Sequence, residues 1–208
     1  GMGTGLGVDG PKGAYDIGIT KPLYIFEQQM KNLMEVVEKT GVYVPLYIMT
    51  SDKNHEATTA FWAEHNNFGY PAELVKFFKQ EMAPAVDYDG KIILESKDMP
   101  ALSPNGNGGW FASLKKAGLV EDLHKRGVEW LNIYAVDNVL QRIVDPVFVG
   151  ATIQTGVNCG AKAICKTNPY EKVGVLCLDG EMPDIIEITL IALVGGLLGI
   201  CPLLNMDN

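Results

Sequence analysis

Residues 22–39 carry Leu23, Phe26, Met30, Leu33, Met34 and Val37. Separations of three and four put them on one face of a helix, and Gly41 stands where a helix-ending glycine belongs. Residues 42–49 then turn short and apolar, as in a strand buried on both faces. Thr50, Ser51 and Asp52 offer N-cap oxygens for a helix over about residues 53–65, closed by Asn66, Asn67 and Gly69. A strand between two helices is the signature of a parallel α/β sheet.

Further along, residues 75–80 read as a strand. Asp87-Tyr88-Asp89-Gly90 reads as a turn with a short strand after it at 91–95. A second loop of small residues, Ser103-Pro104-Asn105-Gly106-Asn107-Gly108-Gly109, precedes helices at 110–116 and 119–125. The strongest strand signal covers 128–136, with Val128, Trp130, Leu131, Ile133, Tyr134, Ala135 and Val136 running into Asp137-Asn138. Later strands are predicted at 161–165, 173–178 and 185–191. Residues 188–204 carry no charge. A membrane-spanning helix needs about 20 apolar residues, whereas Gly195, Gly196, Gly199 and Pro202 interrupt this run and no Lys or Arg flanks it. A buried strand with an apolar tail ranks first, an oligomer contact second and a membrane span third.

Composition narrows the classes. The 208 residues suffice for one large domain or two small ones. A formal charge of −8 argues against broad nucleic-acid binding, so a polyanionic ligand would need locally placed cations or a metal. Cys159, Cys165, Cys177 and Cys201 form no CxxC pair, which points away from zinc and disulfides and toward reduced thiols in the cytoplasm. No basic segment followed by an apolar one opens the chain, so no signal peptide is expected.

Candidate chemistry starts in the first thirteen residues, of which six are glycine and one, Lys12, is basic. Close backbone approach and a mobile positive charge suit a phosphate cradle; a floppy start or cloning remnant is the equal alternative. Gly5-Leu6-Gly7-Val8-Asp9-Gly10 fits the dinucleotide pattern weakly, because Pro11 and Gly13 interrupt the helix that should follow. The P-loop pattern fails, since Gly13 follows Lys12. Asp137, at the carboxyl end of the 128–136 strand, suits a hard cation that takes its other ligands from phosphates; read by itself, a cap on the next turn is the favoured role. Gln80 ends another strand and has both a donor and an acceptor for a base edge. His55, His65 and His124 read as solvent-facing.

Together these pieces resemble one family. Gly3-Thr4-x-Leu6-Gly7-x-x-x-Pro11-Lys12-Gly13 is similar to the signature loop G-G-Q-G-T-R-L-G-x-x-x-P-K of UTP-dependent sugar-1-phosphate uridylyltransferases, nearest to the UDP-N-acetylglucosamine pyrophosphorylase branch. Ordered matches continue through Met49-Thr50-Ser51, Phe78-x-Gln80-x-Met82-x-Pro84, Asp87-x-Asp89-Gly90-Lys91-Ile92 and Pro104-Asn105-Gly106-Asn107-Gly108-Gly109. They go on through Val136-Asp137-Asn138, Asp145-Pro146-x-Phe148-x-Gly150, Cys159-Gly160-Ala161-Lys162, Lys166-Thr167-Asn168-Pro169, Val173-Gly174-Val175 and Ile186-Glu187. The resemblance covers roughly residues 3–189.

The resemblance implies an α/β fold: a Rossmann-like, glycosyltransferase-A-like nucleotidyltransferase with a mixed, mostly parallel sheet flanked by helices. It implies a partial catalytic domain over 1–189, incomplete at both ends, and an unrelated apolar tail over 190–208. It implies that a sugar-1-phosphate oxygen attacks the α-phosphorus of UTP and pyrophosphate leaves. Position by position, Gly3, Thr4, Gly7 and Lys12 would hold the UTP phosphates, with Lys12 catalytic, and Gln80 and Gly106 would recognise uracil. Asp137 would bind Mg²⁺, and Asn107, Gly174 and Glu187 would hold the sugar. Three departures stand out. Gly5 replaces an arginine whose loss costs about 10²–10³ in rate. Met2 replaces a glutamine and no strand precedes the loop. Beyond Glu187 the family pattern stops. The expected partners are UTP and a sugar 1-phosphate, without nucleic acid or membrane. Self-association through an exposed sheet edge or the apolar tail is also expected. A non-catalytic uridine-nucleotide binder or self-associating remnant is the alternative to an impaired enzyme.

Overall fold

The computed structural model describes residues 10–104, 106–165, 175–180 and 182–186. The chain divides into two compact units. Residues 1–128 and 135–143 make the first, and 129–134 with 144–208 the second.

The first unit is built around helix α1, Ile25–Thr40. Its buried face is Ile25, Phe26, Gln29, Met30, Leu33 and Val37, the predicted stripe with one amide inside it. Gly41 ends the helix in the left-handed region at φ 72°, its N–H on the Val37 carbonyl at 2.7 Å. The helix begins at Ile25, three residues later than residue 22. Pro22 to Tyr24 are instead held in a loop, where Asp16 pairs with Tyr24 and its carboxylate accepts from the Gly18 and Leu23 amides at 2.8 and 2.9 Å. Those two bonds, Leu23's first, hold the Asp16 carboxyl below its ordinary pKa. The Ile25 amide, which no side chain caps, donates to the Tyr15 carbonyl at 3.1 Å.

Strand β1, Leu46–Thr50, pairs in parallel with β2, Val75–Lys79, from Leu46 opposite Val75 to Thr50 opposite Lys79. The connection runs through α2, His55–Glu64, as parallel pairing requires. Helix α2 starts two residues later than expected: Asn54 Oδ1 accepts from the Ser51 amide at 2.7 Å and closes the turn ahead of the helix, whose first turn no side chain caps. Thr50 is used elsewhere: its hydroxyl donates to the Phe78 carbonyl at 3.0 Å and meets His55 Nδ1 at 2.8 Å. Phe26, Trp62 and Phe77 join α1, α2 and β2 by edge-on ring contacts, Trp62 lying 5.3 and 5.9 Å from the other two. His55 and His65 are half-buried rather than solvent-facing; His65 sits among Tyr24, Phe61 and Phe68.

Beyond β2 lie short antiparallel ladders. Strand β3, Met82–Pro84, pairs with β6, Leu102–Pro104; β4, Leu94–Ser96, pairs with β5, Met99–Pro100. The Asp87–Gly90 turn forms as predicted, with Gly90 at φ 78°. Helices α3, Trp110–Lys116, and α4, Leu119–Lys125, match their predicted spans.

The strongest predicted strand is absent. Residues 128–136 form no ladder with the described residues and divide between the two units. Their composition suits a strand, but a strand exists only with a hydrogen-bonded neighbour. Residues 161–165 are likewise not a strand.

In the second unit, α5, Pro146–Gln154, was not anticipated. Asp145 caps it, accepting from the Val147 amide, and Pro146 occupies the first helical turn. Lys162 Nζ donates to Asp145 Oδ2 at 2.7 Å and lies over the Phe148 ring. A hairpin of β7, Val175–Asp179, and β8, Met182–Ile186, follows. Of the strands predicted at 173–178 and 185–191, residues 173, 174 and 187–191 lie outside the described residues, as do 190–208. No helix among the described residues is long and apolar enough to cross a membrane.

Gly13 gives a check on this packing. It is buried, and a Cβ there would overlap the Phe26 ring. Gly13→Ala is expected to cost about 1–3 kcal/mol through overpacking. A urea melt reads this as a lower midpoint at unchanged slope.

Candidate active site

Helix α1 brings together two segments far apart in the chain. On one side, residues 12–14 form a turn of 3-10 helix whose Gly13 lies flat against Phe26 of α1. Lys12 therefore leaves a backbone with little freedom: the Ala14 amide bonds the Pro11 carbonyl and the Tyr15 amide the Lys12 carbonyl, each at 3.0 Å. On the other side, the turn at 136–141 is held by two amides of α1 one turn apart. Gln29 Nε2 donates to the Val136 carbonyl at 2.6 Å. Asn32 Nδ2 donates to the carbonyls of Val139 and Gln141 at 3.1 and 3.2 Å. Neither amide was read from the sequence. The signal was there, because Gln29 interrupts the apolar stripe between Phe26 and Met30, and a buried polar group needs a partner.

Between these supports Lys12 Nζ donates to Asp137 Oδ2 at 2.8 Å, across 125 positions of sequence. The side chains are 27% and 50% exposed, so both face solvent enough to receive a ligand. The Lys12 ammonium holds the Asp137 carboxyl below its ordinary value of 3.8, and partial burial opposes this. Asp137 lies in a turn, with the Val139 amide on its own carbonyl at 3.1 Å.

Pro11, Gly13 and Val136 also line a small cavity with Phe26, Ile48, Met49, Thr50, Asn54 and Thr58. Ile48, Met49 and Thr50 are consecutive on β1, so their side chains alternate between faces. A cavity touching all three lies along the strand's edge, on the side away from β2.

Topology gathers the second group. The Gln80 amide donates to the Thr50 carbonyl at 2.7 Å, fixing Gln80 at the carboxyl end of the β1–β2 pair. That is the edge at which open α/β sheets bind ligands. Met82 lies opposite Pro104 in the β3–β6 ladder. Gln80, two residues before Met82, and Gly106, two after Pro104, therefore belong to the same end of it. Gly106 has φ 79° and ψ 172°, a conformation essentially restricted to glycine. Asn107, exposed, starts the turn that leads into α3. Ser113 ties α3 back, its Oγ accepting from the Glu81 amide at 3.2 Å and donating to the Gly109 carbonyl at 2.9 Å. Gly3, Thr4, Gly7, Gly174 and Glu187 lie outside the described residues.

The donor set decides what cation it suits. Among the described residues no three His, Cys, Asp or Glu side chains converge. A carboxylate beside a lysine, outside any such group, fits a hard cation that takes its other ligands from phosphate and water.

The sequence model of the UTP–glucose-1-phosphate uridylyltransferase family matches residues 1–193. The chain belongs to this family. Among relatives of the uridylyltransferase family, the chain is 40% identical over 193 residues to the human UDP-N-acetylhexosamine pyrophosphorylase-like protein 1. It is 42% identical over 192 residues to the UDP-N-acetylglucosamine pyrophosphorylase of Saccharomyces cerevisiae. Each match takes in 90% of this chain, but only 38% and 40% of those proteins, so the chain spans about two-fifths of their length. The crystal structure of the uridine diphosphate N-acetylglucosamine pyrophosphorylase of Trypanosoma brucei, solved with an inhibitor, superposes with a TM-score of 0.82 at 30% identity. That superposition covers 97% of this chain and 44% of that one. The fold is thus that of the sugar-nucleotide pyrophosphorylases, as the resemblance implied.

Two outcomes check this geometry. Gln29→Leu leaves the Val136 carbonyl without its donor, and a lost buried partner costs about 1–3 kcal/mol; a thermal melt reads the loss. A depressed carboxyl pKa gives stability that is present above the ordinary carboxylate range and lost as pH falls through the folded value. Wild type should therefore be more stable than Asp137→Asn at about pH 7, by roughly 0.2–1 kcal/mol for so exposed a pair. The gap should close below about pH 4. Urea midpoints across this range measure it.

Proposed function

We propose that the chain carries the nucleotide end of a uridylyltransferase that joins UTP to an N-acetylhexosamine 1-phosphate or glucose 1-phosphate, releasing pyrophosphate. The observation that carries the reading is the Lys12–Asp137 pair, whose lysine follows the glycine-rich segment in sequence. A carboxylate for a cation and an ammonium for phosphate oxygens stand side by side, in a family defined by this chemistry.

On this reading the backbone of Gly3, Thr4 and Gly7 and the Lys12 ammonium hold the UTP phosphates. Lys12 also takes up charge that develops on the leaving pyrophosphate. Asp137 would hold Mg²⁺, which supplies further neutralisation of the phosphates when bound. The Gln80 amide and the bare backbone at Gly106 would recognise the uracil edge and face, which fits their shared end of one ladder. Asn107, Gly174 and Glu187 would orient the sugar so that its phosphate oxygen meets the α-phosphorus in line. Catalysis is then alignment and charge neutralisation, with no covalent intermediate on the protein. Gly5, where the family has arginine, favours a weak enzyme or a pure uridine-nucleotide binder over an efficient one.

Calorimetric titration with UTP and Mg²⁺, paired with pyrophosphate release on addition of each sugar 1-phosphate, tests this. Heat of UTP binding is expected, with slow or no turnover in wild type. Gly5→Arg is expected to raise turnover by up to about 10²–10³. Absence of UTP binding contradicts the whole reading; binding and turnover without any gain from the arginine contradicts the role given to position 5.

A further inference from the structure

Lys12 and a divalent cation compete for the same oxygen. Nζ lies 2.8 Å from Asp137 Oδ2, within the shell that a coordinated metal would occupy. A divalent cation on that carboxylate would stand within a few ångströms of the ammonium, and their repulsion offsets part of the carboxylate's attraction, so metal binding is weaker while Lys12 stays in place. No third acidic, His or Cys side chain among the described residues converges there to hold both.

The two partners also differ in freedom. Asp137 is pinned through its turn by Gln29 and Asn32. The Lys12 backbone is pinned by Pro11, Tyr15 and the Phe26 ring. What can move is the four-carbon lysine stem, whose compact ammonium reorients freely about a fixed origin.

We propose that Lys12 guards the cation position: in the metal-free protein its ammonium caps Asp137, and the site opens to a divalent cation only as the ammonium is drawn onto a polyphosphate. Metal and nucleotide then load together rather than metal first. The polyphosphate partner rests on the function proposed above; the competition between Lys12 and the metal does not. One residue therefore acts in opposite directions, hindering metal alone and helping metal with nucleotide.

Mn²⁺ serves as the probe, followed by calorimetry or its spin-resonance signal, on wild type and Lys12→Gln. Without nucleotide, Lys12→Gln is expected to bind Mn²⁺ about two- to five-fold more tightly, the range set by an exposed ion pair. With UTP present, the variant is expected to bind Mn²⁺ more weakly than wild type. Equal or weaker Mn²⁺ binding by the variant alone overturns the proposal, as does no Mn²⁺ binding by either protein. A second measurement needs no variant. Acetylation of wild-type amines, read by mass spectrometry, is expected to speed up at Lys12 on adding Mn²⁺, relative to the exposed Lys39. An unchanged or slower rate at Lys12 overturns it. Should Mn²⁺ behave as expected while UTP gives no heat, the competition stands and the nucleotide reading falls.

Discussion

The site depends on what one helix does with its buried face. Most of the α1 stripe is ordinary hydrophobic burial, and Met30, Leu33 and Val37 make it a stable platform. Two of its positions also place chemistry. Phe26 receives Gly13 without a side chain between them, and Gln29 holds the Val136 carbonyl. These contacts set where Lys12 and Asp137 leave the backbone, and so that they meet. A buried amide is costly unless bonded, so Gln29 reinforces one arrangement of the 136–141 turn over others. Neither residue of the pair carries its own position.

The second consequence is a division of labour. Rigid backbone supports a flexible charge on one side and a fixed charge on the other. A phosphate-transfer site needs a fixed place for a cation and a positive charge able to follow phosphate oxygens. The β1–β2 pair contributes the remaining geometry: its carboxyl end fixes Gln80, and the β3–β6 ladder returns Gly106 to the same end.

How much of this could be read from residues alone follows from which forces are local. Helices α1, α3 and α4 and the Asp87–Gly90 turn obey spacing and glycine rules, and their boundaries were legible except at the start of α1, which the Asp16 loop sets. Residues 128–136 have every local property of a strand, and the described chain gives them no ladder; pairing is a property of the neighbour. Helix α5 was announced only by Asp145-Pro146, a start signal without an amphipathic stripe behind it. At the site, Lys12, Asp137, Gln80 and Gly106 were legible as residue types and through family resemblance. Their juxtaposition was not, because 125 positions separate Lys12 from Asp137. Gln29 and Asn32 were passed over because they sit inside a helix that already had a simpler purpose.

Helix α1 holds Lys12 and Asp137 side by side, and on the proposed reading they form one phosphate-and-cation site. A crystal structure of the protein soaked with UTP and Mn²⁺, with anomalous scattering to locate the metal, tests it most directly. A metal peak is expected at about 2.0–2.6 Å from an Asp137 carboxylate oxygen, bridging to UTP phosphate. Lys12 Nζ is also expected to have moved onto a phosphate oxygen while the Gln29 bond to Val136 persists. A metal bound elsewhere, with the Lys12–Asp137 pair intact beside bound UTP, would contradict that reading.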